Sequence, residues 1–389
     1  MVGNALNPGT LAFYSLGVLS PALQREYGWS AGAAAGGLFA VSVTTLLVSP
    51  LAGALTDRLG ARKVASWSVV LLSLTLCLLA TVPLSLPMYY GLWMLAAAGG
   101  AGSFPFTWSR LITQHFRRKC GLALGLSFVG TGLAGALLKP PLFQVVEQHG
   151  VQGGFWFLAV LPLLSLITTL LLVRPMSAVP RTDAAAKPVA AEGVTLAEAT
   201  RDWRFWLLAL VVASAAIGVG GPLPNMESVL RATGYSGAEA VALAQLIGLA
   251  IIFGRIGCGA LLDRIWAPAV GAVVLAAGGL GCLAAWSTTE PSWTAGVTVF
   301  LIATASGLEV ELVAFLALRY FGLKNYSSIY GVLYGIFALG TGVGAISFGV
   351  IFDATGSYGP ALMSFGLLLI GAAAAILWLG AYRYETRSQ

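Results

Sequence analysis

Five charged side chains, Arg110, Lys139, Arg255, Glu309 and Glu311, lie inside otherwise apolar runs of this chain. A charge facing hydrocarbon is costly, so such residues turn to a cavity, a polar partner or the membrane interface. Arginine presents a planar fork that grips a carboxylate at two points, and three embedded bases against two embedded acids favour an anionic guest. Arg255 precedes Asp263 in the sequence, which sets it about 12 Å inside the end of its helix at 1.5 Å per residue. Arg110 is about 10 Å inside by the same measure. Each base can meet a substrate or stand in a structural ion pair. Glu309 and Glu311 are separated by roughly 200° of helix rotation, so they cannot both face one cavity. A carboxyl group away from water can take up and release a proton as its surroundings change. That makes the two acids, Glu309 the deeper, candidates for proton coupling. Lys139, before Pro140 and Pro141, either draws anions to an outer mouth or snorkels to the interface. Asn7, Tyr14, Asn225 and Tyr334 could hydrogen-bond a substrate, or simply join neighbouring helices.

The elements that must hold these residues follow from composition and a repeat. The chain is 58% hydrophobic and 9% charged, with a mean hydropathy of +0.87. Soluble domains carry roughly 25% charged residues, so an ordinary wet surface is excluded. The sequence also matches itself at a shift of 206 positions: Gly53, Asp57 and Arg58 recur as Gly259, Asp263 and Arg264, and Gly125 recurs as Gly331. Duplicated apolar halves are a common plan of secondary transporters. Windows of about 20 apolar residues, enough to span ~30 Å of hydrocarbon, predict twelve transmembrane helices. They fall near 4–22, 31–54, 64–83, 88–113, 120–145 and 153–173, then near 204–226, 238–260, 268–287, 294–318, 326–351 and 360–382. The expectation is an all-α polytopic membrane protein in two six-helix halves, 1–173 and 204–389, joined by a Pro- and charge-rich cytoplasmic linker at 174–203. The first apolar run begins almost at Met1 without a basic flank, so it reads as the first span and not as a cleaved signal.

Charge placement orients the chain. Sixteen basic residues, among them Arg58, Arg62, Lys63, Arg117, Arg118, Arg174, Arg181, Lys187, Arg264 and Arg387, fall in loops on the side of the termini, against Arg25 and Arg231 opposite. The positive-inside rule puts both termini and the linker in the cytoplasm. The bases are scattered over short loops, which argues against a nucleic-acid partner. Cys77, Cys120, Cys258 and Cys282 show no disulfide or metal spacing, and neither a cofactor nor a metal is expected. No nucleophile–base pairing, phosphate loop or metal cluster suggests an enzyme.

The run from Gly53 to Lys63, with Asp57, Arg58, Gly60 and Arg62 at fixed spacing, resembles the loop 2–3 signature of the major facilitator superfamily. The Gly254–Arg264 copy, the Gly17–Ser30 stretch, Cys120–Gly125, Arg319–Leu323 and Asp353–Tyr358 are similar to its monocarboxylate-porter and oxalate-transporter branch. The resemblance implies two six-helix bundles with alternating access about a central cavity. It implies that Arg255 binds a substrate carboxylate, and that Asp57, Arg58 and Arg62, with Asp263 and Arg264, gate the cytoplasmic side. Ile251 stands where animal monocarboxylate porters carry an acid before that arginine, and no Lys or Arg lies between Lys324 and Arg383, where an oxalate exchanger carries a helix 11 lysine.

The combined expectation is a proton-coupled symporter of a small organic anion, a monocarboxylate, acting as a single copy in the inner (plasma) membrane. Its partners would be the anion, protons and the lipid bilayer. A carboxylate exchanger is the alternative, disfavoured by the missing helix 11 lysine. An efflux pump for hydrophobic compounds is another, but Gly130–Pro140 does not fit the helix 5 signature common in such exporters.

Overall fold

The computed structural model describes residues 1–116, 119–173, 192–288 and 291–384. Residues 174–191 of the expected linker, with Arg174, Arg181 and Lys187, lie outside the described residues, as do Arg117, Arg118 and Arg387. The helices, in chain order, begin with α1 (Val2–Ala5), α2 (Pro8–Tyr27), α3 (Ala31–Leu59), α4 (Ala61–Thr81), α5 (Leu86–Gly99), α6 (Pro105–His115), α7 (Cys120–Leu172) and α8 (Leu196–Ala199). They continue with α9 (Trp203–Gly220), α10 (Met226–Ala232), α11 (Gly237–Phe253), α12 (Gly259–Leu262), α13 (Ala267–Ser287), α14 (Thr294–Phe321), α15 (Tyr326–Thr355) and α16 (Gly359–Ile376). Among the described residues no strand is formed, and one isolated antiparallel bridge joins Gly193 to Gly322.

Nine of these segments, among the described residues, are long and apolar enough to cross a membrane. The twelve predicted spans and these nine segments differ for local reasons. α7 holds the fifth and sixth spans as two helices that meet at Gly150, where the backbone leaves helical geometry (φ 66°, ψ −167°). That left-handed backbone suits glycine, and the chain beyond it is capped by Glu26, whose Oε1 accepts from the Val151 N–H at 2.9 Å. The fourth span is cut into α5, a 3₁₀ turn at Gly100–Ser103, and α6. Phe104 is extended there (φ −69°, ψ 162°) because Pro105 follows it. The first span is interrupted at Asn7, which caps α2, and α2 ends in the polar run Gln24-Arg25-Glu26. The eighth span is retained at Ala242–Leu262 and passes through a π turn at Gly254–Cys258 between α11 and α12.

The packing divides the chain into two compact units. The first contains Met1–His115, Gly130–Leu196 and Gly322–Gly335; the second contains Phe116–Val129, Ala197–Phe321 and Ile336–Gln389. The opening of α7 thus packs with the second unit and the opening of α15 with the first. Leu11, Leu72, Leu76, Tyr89, Trp93 and Phe155 lie in the core of the first unit. Val229, Phe348, Leu362 and Phe365 form a core cluster of the second. Outward faces remain apolar, as with Trp67, Leu171 and Trp378, the surface expected of helices that meet lipid.

Candidate functional site

In the first unit Asp57 occupies the last turn of α3 and reaches the first turn of α15. Its carboxylate accepts from the Ser327 N–H at 3.0 Å, the Ser328 N–H at 2.9 Å and the Ser328 hydroxyl at 2.7 Å. Arg110 of α6 forms an ion pair with the same carboxylate. The first amides of a helix have no partner within it, and the helix dipole favours an anion there. The approach depends on small residues: a Cβ on Gly53 would strike the Ser327 carbonyl, and one on Gly331 would meet the Ser49 carbonyl. Thr56 and Thr107 share a hydrogen bond at 3.1 Å and tie α3 to α6 beside the acid.

The second unit repeats this arrangement. Asp263, just past α12, accepts from the Gly121 and Leu122 N–H groups at 2.7 and 2.9 Å, in the first turn of α7. Gly121, Gly125 and Gly259 allow the helix backbones to touch. Asp57, Ser327 and Ser328 correspond to Asp263, Gly121 and Leu122 through the same 206-residue shift. Arg110 has no such counterpart; its repeat position is Leu316.

Deeper in the second unit, the π turn carries Arg255. Such a turn holds one residue more than an α turn and often marks a functional position. The Arg255 guanidinium donates to the Phe128 carbonyl, and its Nε lies 3.7 Å from Glu311 Oε1. The two helices come this close through Gly254 and Gly307, whose Cβ positions would meet the Thr304 and Ile251 carbonyls at 2.8 and 2.6 Å. Glu311 is fully buried, and among the described residues neither of its side-chain oxygens has a hydrogen-bond partner. Glu309 points elsewhere. It lines an apolar cavity of about 20 Å³ with Leu208, Val212, Leu275 and Phe337, room for a single water molecule. Among the described residues its Oε1 also lacks a partner.

The structure thus joins Asp57 with Arg110 and Arg255 with Glu311, and it sets Glu309 apart from Glu311. The other sequence-predicted residues are placed as follows. Asn7 is buried and engaged locally: it donates to the Asn4 carbonyl at 2.7 Å and the Thr10 hydroxyl at 2.9 Å, and accepts from the Thr10 N–H at 3.1 Å. Asn225 donates to the Gly221 carbonyl at 2.9 Å, one turn back. Tyr14 packs over Gly135. Tyr334 stands among Phe104, Phe106 and Tyr330, with ring centroids 5.5 to 6.4 Å away. Lys139, Arg58 and Arg264 are exposed, and Arg62 donates to the Leu170 carbonyl at 3.0 Å. No group of three or more His, Cys, Asp or Glu able to hold a metal occurs among the described residues. Residue types alone did not reveal the receiving amides of Ser327, Ser328, Gly121 and Leu122, although the 206-residue shift pairs them. The Phe128 carbonyl left no signal in the sequence.

A family model, Major Facilitator Superfamily, matches residues 8–344. The chain is 31% identical over 384 residues to monocarboxylate transporter 11 of Mus musculus, covering 93% of this chain and 78% of that protein. It is 30% identical over 368 residues to an uncharacterized 38 kDa protein in the 23S RNA operon of Thermoproteus tenax, covering 94% and 90% respectively. Among solved structures, it resembles the Escherichia coli fucose:proton symporter FucP, with a TM-score of 0.71 and 14% identity over 97% of both chains.

Proposed function

The chain belongs to the Major Facilitator Superfamily, and on that premise we propose that this transporter moves a small monocarboxylate together with a proton. The observation that carries the reading is the Arg255–Glu311 pair. A buried guanidinium faces a buried carboxyl group without hydrogen bonding to it. A substrate carboxylate supplies the two-point contact that Glu311 lacks. Glu311 leaves the pair by becoming neutral, which joins proton uptake to anion binding. The likeness to monocarboxylate transporter 11 supports the substrate class. Glu309 walls an apolar cavity, and among the described residues it forms no ion pair, whereas Glu311 pairs with Arg255, so Glu311 is the better carrier of the coupling proton.

Asp57 and Asp263 act as gates in this scheme, each holding the start of a helix until the carrier changes access. Arg110 belongs with the Asp57 gate. The excess of basic loop residues supports cytoplasmic termini in a plasma membrane. The decisive experiment is uptake of labelled carboxylates into proteoliposomes, with and without an imposed proton gradient. Accumulation of a monocarboxylate only with the gradient is expected. Exchange that ignores the gradient would replace symport by antiport, and transport of neutral compounds alone would remove the anion reading.

A further inference from the structure

The 174–203 linker re-enters the described chain at Glu192, beside the Asp57 gate. There the Leu323 N–H donates to the Glu192 carbonyl at 2.8 Å, and Gly193 bridges Gly322. Gly322 has φ +75°, and a Cβ on it would lie 2.5 Å from both the Glu192 oxygen and the Gly193 Cα. Gly193 also has a positive φ, 148°. The pairing is therefore built on two glycines, one on each side of the bridge. Leu323 works in both directions, because its carbonyl lies 3.4 Å from Arg110 Nη1, and Arg110 is the base paired with Asp57. A few residues on, Ser327 and Ser328 present their amides to Asp57.

We propose that the contact of Glu192–Gly193 with Gly322–Leu323 is a strap by which the linker positions the Asp57–Arg110 gate. The inference rests on the gating role given to Asp57 above. Two of the points where the chain passes from one compact unit to the other, after Leu196 and after Phe321, lie next to this strap. The Glu192 contact thereby reaches Leu323, and through it Arg110 and the start of α15. The repeat partner of Gly322 is Phe116, which has neither a positive φ nor a bare Cα. The strap therefore serves the Asp57 gate alone.

The test is amide hydrogen exchange on the full-length protein in lipid nanodiscs, read at Ser327 and Ser328, with α16 as an internal control. Gly322→Ala obstructs the approach from one side of the bridge, and Gly193→Val obstructs it from the other. Each should raise exchange at Ser327 and Ser328 on the order of fivefold, the effect of losing one hydrogen bond, without altering α16. In an Asp57→Asn background the same substitutions should add nothing, because the strap acts through that carboxylate. If both variants leave Ser327 and Ser328 as protected as in the wild type, or raise exchange equally without Asp57, the strap is overturned. If Asp57→Asn alone leaves these amides protected, the gate reading fails and the strap falls with it.

Discussion

Replacing Glu311 by glutamine should tighten anion binding and remove its dependence on pH. Glu311 Oε1 stands 3.7 Å from Arg255 Nε, beyond hydrogen-bond length, so charge alone holds the pair. At that separation and an effective dielectric constant of about 20, the attraction is roughly 4 kcal/mol. Desolvation of two buried groups cancels part of it. A remainder of about 2 kcal/mol corresponds to roughly thirtyfold in binding. An incoming carboxylate must displace Glu311 and forfeits that remainder. Arg255 keeps the Phe128 carbonyl as a partner in the variant, so the clamp stays in place. The assay is equilibrium binding of a labelled monocarboxylate to purified protein across a pH series, beside gradient-driven uptake. In the wild type, binding should strengthen as pH falls, because protonation neutralises Glu311 and releases Arg255. The Glu311→Gln variant should bind tightly at every pH and lose proton-driven accumulation. Glu309→Gln, on the cavity side of α14, should leave both properties intact. A Glu311→Gln protein with wild-type affinity and a wild-type pH response would refute the reasoning.

Arg255→Lys should impair transport despite the conserved charge, because one ammonium cannot form the two-point contact; an unchanged half-saturation concentration would remove Arg255 from the substrate site. Asp57→Asn should slow turnover while sparing equilibrium binding, and more severely than Asp263→Asn, because it also takes the carboxylate partner from the half-buried Arg110, a loss of about 1–3 kcal/mol; equal turnover in the two variants would contradict this. At the start of α11, Ser236 and Glu239 form a capping box, and the hydroxyl and N–H of Ser236 hold the Glu239 carboxyl below its ordinary range. A lowered carboxyl stabilises the fold above its unfolded value and loses that effect as pH falls through its folded one. Protection of the α11 amides against hydrogen exchange should therefore weaken in acid in the wild type and be insensitive to acid in Glu239→Gln.

Some of this architecture was legible because it is periodic or punctuated. The 206-residue repeat announced Asp57 and Asp263 as a matched pair, whereas the break in the fourth span at Phe104 and Pro105 falls inside a continuous apolar run. Apolar run length separated the fifth span from the sixth, and the turn between them falls at Gly150. Asn7 illustrates the harder cases. As an amide in an apolar run it reads equally well as a substrate ligand, yet its bonds all close within the first span. Glu309 and Glu311 were separable by helical rotation, but which of them meets Arg255 depends on where Gly254 and Gly307 let α11 and α14 approach. The strap was invisible for a similar reason. A glycine states that its backbone is permitted an unusual shape, and says nothing of the distant carbonyl that comes to fill the space.

Each of these two contacts takes its acid from one repeat and its amides from the other: Asp57 with Ser327 and Ser328, Asp263 with Gly121 and Leu122. Neither half of the sequence alone holds both partners of either contact. Contacts in which position i of one copy meets position j of the other, and j of the first meets i of the second, are those of a two-fold symmetric dimer. The two contacts differ at Arg110 and Gly322, whose repeat positions are Leu316 and Phe116, so a matched pair of contacts is here served by unlike surroundings.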